Sequence, residues 1–258
     1  MPHPLDALIE QLKTGAATNE IYGVSAPSSR SRATVEKVLE EAVDVLAGDG
    51  VSGLSFRALA RRCDMRLSNL QYYFTTQDDL LTALTRYALA ERFEELRRKG
   101  TLKMPDPRER FHAYLTFRMD RATDPRARPI TTALKDLAQR HDGPARHFAA
   151  TCRFHNAVLE DMITEFAPDL EAAEIARKAA MIAALLDSLG PVGGRLYEPP
   201  AGLRRAVLEQ NAEFIRRKAG PEGVEDRIDH AHAHAILIND CDINRVFVHC
   251  FGGGQGGV

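Results

Sequence analysis

Apolar residues recur at helical intervals from Ser31 onward. Val35, Val38, Leu39, Ala42, Val43 and Leu46 fall at i, i+3, i+4, i+7, i+8 and i+11, one face of an amphipathic helix. Gly48-Asp49-Gly50 ends it. A second, shorter helix follows, with Ser55 at its N-cap and Phe56, Leu59, Ala60 and Cys63 on one side. A turn at Asp64-Met65 leads to a third segment, Leu67 to Phe74, whose apolar positions are Leu70, Tyr73 and Phe74. Thr76-Gln77-Asp78-Asp79 reads as a capping box before Leu80-Leu81. The fourth helix then runs to about Lys99, and its basic last turn (Arg97, Arg98, Lys99) suits a helix C-terminus.

Only helical periods follow. Gly100 to Pro107 is a joint, and Asp106 caps a helix with Pro107 at its first position, reaching about Ala122. Asp124-Pro125 breaks the chain before a helix over about 127–140, and Asp142-Gly143-Pro144 breaks it again. A long helix from Pro144 to Phe166 carries Phe148, Cys152, Leu159, Met162 and Phe166 along one seam. The next is expected from Pro168-Asp169 to Leu189, stopping before Pro191, and the last from Ala201 to Lys218 after a loop with Gly193-Gly194 and Pro199-Pro200.

The two ends differ in character. Residues 1–30 read as a flexible leader, with the helical spacing of Leu5, Leu8, Ile9 and Leu12 as the one sign of order and a linker-like stretch from Gly23 to Ser31. Residues 221–258 form a C-terminal extension. In it, Ile236–Ile238 and Val246–Val248 read as a small β-hairpin before a glycine-rich end. The expected fold is all-α: a three-helix helix-turn-helix domain over 31–80, followed by a larger helical domain over 81–220.

Composition narrows the chemistry. The chain has 258 residues, 44% of them hydrophobic, and a formal net charge of −2. Bulk charge therefore does not draw it to nucleic acid, and any DNA contact must come from a local basic surface. Such a surface exists. Between Ser55 and Gln77 the charged residues are Arg57, Arg61, Arg62 and Arg66 against Asp64 alone, interleaved with Ser68, Asn69, Gln71 and Tyr72. A major groove about 12 Å wide admits one α-helix while a second braces it against the backbone, which is what two short helices joined by a tight turn provide.

The apolar stretch Ala179 to Gly190 is too short for a membrane span and carries Asp187, and the N-terminus has no secretory pattern, so a cytoplasmic location is expected. Four scattered cysteines, Cys63, Cys152, Cys241 and Cys250, suggest no disulfide framework, with Cys63 and Cys152 expected as buried thiols on apolar faces.

The run Gly50-Val51-Ser52-Gly53-Leu54-Ser55-Phe56-Arg57-Ala58-Leu59-Ala60-Arg61-Arg62-Cys63, then Leu70-Gln71-Tyr72-Tyr73-Phe74 and Asp78-Asp79-Leu80, resembles the TetR family of transcriptional regulators over about residues 32–82. A hydroxyl residue opening helix two, a Leu-Ala pair within it, aromatics closing helix three and acidic residues before Leu in helix four all stand in register. Asp64 replaces the family's usual turn glycine, Arg66 lies where Ser is common, Gln71 replaces the first closing aromatic and Gln77 replaces a phosphate-contacting Lys.

The resemblance implies a homodimeric regulator, most simply a repressor released from operator DNA by a small-molecule effector and acting without an enzymatic step. On the DNA side it implies Ser55, Arg57, Arg66, Leu67, Ser68, Asn69, Tyr72, Tyr73 and Gln77. Arg66 is suited to guanine, Asn69 to adenine, and Ser55 and Tyr72 to the phosphate backbone. It implies dimerisation through helices 169–189 and 201–218, with a stripe of Ile175, Ala179, Ile182, Ala183, Leu186 and Leu189 at the seam. An effector pocket is implied between Pro107 and Phe166, with Tyr114, Arg118 and His155 as its polar candidates and Phe117, Met119 and Phe148 as apolar ones.

Two alternatives stay open. One is an activator of the same fold. The other is a metal-responsive or metal-binding protein using His230, His232, His234, Cys241, His249 and Cys250, though their spacing matches no standard zinc site. No cofactor is implied. Neither G-x-S-x-G, H-E-x-x-H nor a Walker loop occurs, and the terminal glycines precede no helix that could hold a phosphate.

Overall fold

Helix boundaries follow from identifiable caps. In the computed structural model, which describes residues 3–15, 19–192 and 202–216, α1 spans Pro4–Lys13, α2 Ser29–Gly48, α3 Phe56–Arg62, α4 Leu67–Tyr73 and α5 Gln77–Arg98. The later helices are α6 Pro107–Thr123, α7 Ala127–Arg140, α8 Asp142–Phe166, α9 Ala172–Val192 and α10 Leu203–Arg216. Ser28 and Ser31 close a reciprocal capping box on α2, at 3.1 and 2.9 Å. Thr76 and Asp79 do the same on α5 at 3.1 and 2.9 Å. Asp106 accepts from the Glu109 amide at 2.8 Å, and Asp124 accepts from the amides of Arg126 and Ala127.

The apolar faces meet as their spacing predicts. Val35, Val38, Leu39 and Ala42 of α2 are completely buried, as are Leu59 of α3, Leu70 of α4 and Phe74 at the C-cap of α4. The long α5 packs against α2 at one end and against α1 and α8 along its length, while α8 packs on α7 and α9 and α6 packs on α9. One continuous apolar core therefore runs from the helix-turn-helix into the larger bundle. Where α8 begins it approaches α5 closely: a Cβ on Gly143 would lie 1.9 Å from the Thr82 hydroxyl oxygen. Gly143 permits that contact because it lacks the atom. Among the described residues no helix is long and apolar enough to cross a membrane.

Four expectations are corrected. First, the described part of the leader is ordered. α1 buries Leu5, Leu8, Ile9 and Leu12. A two-residue hairpin then pairs β1 (Glu20–Ile21) with β2 (Val24–Ser25) through Tyr22 and Gly23, both at positive φ as a type I′ turn requires. The reason is tertiary. Arg86 of α5 donates its Nε to the Leu12 carbonyl at 2.9 Å and its Nη2 to the carbonyls of Gln11 and Thr14, satisfying the end of α1. Lys13 pairs with Glu94 at 2.5 Å, and the Tyr22 ring meets Tyr87 edge-on at 5.2 Å.

Second, Ala179, Ile182 and Leu186, read as a dimer seam, are filled by the chain's own core, because α9 turns that stripe toward α6 and α8. The apolar positions left on its outer side are Met181 and Leu185. Third, Cys152 is exposed, since the buried face of α8 carries Thr151, Phe154, His155, Leu159, Met162 and Ile163 instead; Cys63 is buried as expected. Fourth, α9 begins at Ala172, three residues after Asp169, and runs through Pro191 to Val192.

The chain divides after Arg217, and residues 193–201 and 217–258, where a loop and the C-terminal extension were expected, lie outside the described residues. The expected tail hairpin and the His/Cys set from His230 to Cys250 fall there. Among the described residues no group of three or more His, Cys, Asp or Glu is arranged to hold a metal ion.

Candidate nucleic-acid interface and buried polar cluster

The helix-turn-helix buries one face and offers the other. Ser55 accepts from the Ala58 amide at 3.2 Å and so starts α3. The turn is closed by Asp64 at φ +52°, the left-handed region that most side chains avoid and Asp or Asn tolerate. Lys37 of α2 donates to the Cys63 carbonyl at 3.0 Å and holds the end of α3 against the bracing helix. Arg66 stands at the N-cap of α4, where its guanidinium, which has no acceptor atom, makes no capping bond.

Leu70 and Phe74 anchor α4 inward, and this turns Arg66, Ser68, Asn69 and Tyr72 outward. Ser55, Arg57 and Gln77 are exposed on the same unit, while Leu67 and Tyr73 are half-buried. Tyr72 is 77% exposed, an unusual setting for an aromatic, and its ring leans edge-on against Tyr73 at 5.2 Å. Arg62 is tied to Glu41 at 3.0 Å and so supports the unit rather than the surface.

Sequence reasoning missed one wall of this surface. An open groove of about 620 Å³ runs beside α4, lined by Asn69, Tyr72 and Tyr73 together with Arg30, Thr34 and Lys37 of α2. The signal was present, because those three positions fall opposite the apolar face of α2 at helical spacing.

A second polar constellation lies inside the bundle. Tyr114 and Arg118 sit one turn apart on α6, His155 on α8, Asp187 on α9 and Arg92 on α5. The Tyr114 hydroxyl lies 2.5 Å from His155 Nδ1, and Arg118 donates to Asp187 Oδ1 at 2.8 Å. Tyr114 is completely buried, and Arg118 and His155 are 4% and 5% exposed. Phe93 and Phe154 close over His155, with ring centroids 5.4 and 5.8 Å from the imidazole.

Burial, then the nearby Arg118 and Arg92 charges, hold His155 well below the usual histidine range, so it is neutral. Burial followed by the Arg118 and Arg121 guanidiniums pulls Arg92 down to about 10. Burial opposes the charge on Arg118, but Tyr114 and Asp187 more than offset this and keep it raised. Sequence reasoning singled out Tyr114, Arg118 and His155, and the fold brings all three together. It missed Arg92, which reads as one more surface charge, and Asp187, whose signal was a lone carboxylate in an apolar stretch.

Relatives agree with this architecture. No protein-family model matches the chain. A 55-residue stretch is 42% identical to an HTH-type transcriptional regulator in the dhlA 5′ region of Xanthobacter autotrophicus, covering 21% of this chain and 27% of that protein. Over 163 residues the chain is 28% identical to the HTH-type transcriptional regulator BetI of Burkholderia cenocepacia, covering 61% of this chain and 81% of the relative. Among solved structures, a TetR transcription regulator from Haloarcula marismortui matches with a TM-score of 0.61 at 15% identity, covering 72% of this chain and 97% of that one. The chain has the fold of TetR-type transcription regulators.

Two further solved structures share the fold. A transcriptional regulator from Rhodococcus has a TM-score of 0.59 at 20% identity, over 70% of this chain and 96% of that one. A regulator from Saccharomonospora viridis, solved in complex with choline, has a TM-score of 0.55 at 16% identity, over 72% of this chain and 97% of that one. These likenesses establish the fold. The curated relatives are HTH-type transcriptional regulators, and this chain is accordingly a DNA-binding transcriptional regulator.

Proposed function

We propose that the chain is a dimeric repressor that grips its operator through α4 and lets go when a small effector enters the bundle. The observation that carries the reading is the two-sidedness of the helix-turn-helix. Leu59, Leu70 and Phe74 are completely buried, while Arg57, Arg66, Ser68, Asn69 and Tyr72 are exposed on one unit. Arg66 and Asn69 act on base edges, with Leu67 beside them; Ser55, Arg57, Tyr72, Tyr73 and Gln77 act on the phosphates.

A dimer follows from the task, since two recognition helices must meet half-sites about 34 Å apart. Support for α9 and α10 as its seam comes from Met181 and Leu185, which are 60% and 40% exposed on α9 in the single chain, beside the small exposed residues Ala173, Ala176 and Ala184. Residues 31–80 serve as the reading head and the bundle beyond as the sensor. Tyr114, Arg118 and His155 form the polar part of the effector site. An effector that binds the DNA-incompetent arrangement more tightly shifts the population toward it.

Selection of bound duplexes from random DNA, at stated salt, tests the reading. A two-fold symmetric site is expected, and Met181→Glu is expected to give monomers by light scattering and to weaken operator binding. Equal affinity for all duplexes would refute it. A promoter–reporter assay decides the sign, with repression expected.

A further inference from the structure

We infer that the buried cluster of Arg92, Arg118, Tyr114 and His155 is a receptor for a small organic carboxylate, so the effector is an anion. The inference rests on the effector reading above and deepens it by naming the ligand's chemistry.

The argument starts from hydrogen bonds the cluster does not make. Among the described residues, Arg92 Nε, Arg118 Nη1, Arg121 Nε and His155 Nε2 are enclosed and have no partner. Buried polar groups are normally satisfied, so four orphans in one neighbourhood call for an explanation. Their chemistry is uniform. The three arginine nitrogens can only donate. His155 is neutral with its Nδ1 facing the Tyr114 hydroxyl. If that hydroxyl donates to Nδ1, the imidazole proton sits on Nε2, which is then a donor as well. Four donors without an acceptor form a site for oxyanions.

Charge points the same way. Arg118 is paired with Asp187, and Arg121 with Glu95 at 3.0 Å. Among the described residues Arg92 has no ion pair of its own, yet it feels both neighbouring guanidiniums. Asp187, already paired with Arg118, is the carboxylate that also acts on Arg92, so three guanidiniums share two carboxylates and one positive charge is in surplus. A carboxylate would neutralise it and could take two parallel N–H groups from one guanidinium.

The surroundings suggest the rest of the ligand. Phe93 is completely buried and Phe154 nearly so, with ring centroids 5.3 Å apart beside His155. An apolar or aromatic body attached to the carboxylate would meet these rings. A quaternary ammonium such as the choline held by the Saccharomonospora viridis regulator would bring a second positive charge among the arginines.

The test uses the full-length chain and two probes, sodium benzoate and choline chloride, at constant ionic strength. Calorimetric titration gives Kd, and thermal unfolding gives the shift in Tm. Benzoate is expected to bind saturably and to raise Tm with the logarithm of its concentration, while choline does neither. Arg92→Met and Arg118→Met are each expected to weaken benzoate at least about ten-fold, a loss of roughly 1.4 kcal/mol. Arg92→Met should also raise the Tm of the ligand-free chain, because it removes an uncompensated charge; a merely structural arginine would lower it. This keeps the test decisive even if Arg118→Met folds poorly.

Benzoate binding that both variants retain would overturn the assignment, as would saturable choline binding in its place. In those cases the effector reading stands, because a small molecule still enters the chain. Absence of binding by both probes overturns the anion site, and the effector reading is then decided by whether a metabolite extract releases the selected operator.

Discussion

Asp187→Asn should destabilise the protein more than Arg118→Met, although both break the same ion pair. The two partners sit differently: the Arg118 side chain is 3% exposed and that of Asp187 is 42% exposed. Removing the carboxylate's charge strands a fully enclosed guanidinium among Arg92 and Arg121, and an uncompensated buried charge of that kind costs about 3–5 kcal/mol. Removing the guanidinium leaves a carboxylate that still reaches water and feels Lys135. Met also keeps much of the buried aliphatic stem, so that loss is about 1–2 kcal/mol.

The gap of about 2 kcal/mol is roughly thirty-fold in the unfolding constant. With a urea slope of about 3 kcal/mol/M for a chain of this size, the midpoints should differ by about 0.7 M. Urea titration by circular dichroism at one fixed protein concentration measures this. The double variant Arg118→Met, Asp187→Leu should recover most of the loss. If Arg118→Met were as damaging as Asp187→Asn, the claim that the cluster carries surplus positive charge would be wrong.

Three further outcomes are expected. Arg66→Ala should weaken operator binding by about 1–3 kcal/mol and relax preference at one base position, whereas Arg57→Ala should weaken all duplexes alike and flatten the salt dependence, both read by gel shift. Asp64→Gly should be neutral or slightly stabilising because the turn sits at φ +52°, and Asp64→Val should cost about 1–2 kcal/mol; equal stability of the two would argue against the left-handed turn. Acidification from pH 7.5 to 5 should destabilise the fold. The folded-state pKa of His155 is lowered, so the unfolded chain binds the proton first, and stability is lost as pH falls through about 6.5 by up to about 1.4 kcal/mol per pH unit. Half-buried His147, lowered to about 4 by burial and then Arg86 and Arg146, adds a smaller, solvent-screened share over the same window. His155→Gln should remove most of this acid sensitivity in urea midpoints taken at pH 7.5, 6 and 5.

The DNA-reading surface was legible in the sequence because its parts are neighbours along it. Ser55 to Gln77 carry caps, turn and recognition helix in one stretch, and the burial of Leu59, Leu70 and Phe74 leaves the polar residues no other side to face. Helix extents were equally local, since each depends on a cap or a breaker within a few residues. The leader shows where that logic stops. The period of Leu5 to Leu12 announced a helix, but the partners that hold it in place, Arg86 and Glu94 among them, lie more than seventy positions away.

The same limit governs α8, α9 and the cluster. Period alone says that a helix has an apolar stripe, and it leaves open which neighbour takes that stripe, so Cys152 turned outward and Ala179 to Leu186 turned inward. Arg92, Tyr114, Arg118, His155 and Asp187 come from four helices and share no local signal. Their meaning arises only when packing brings them together and takes Tyr114, Arg118 and His155 out of water, because exposed arginines are ordinary and enclosed ones need partners.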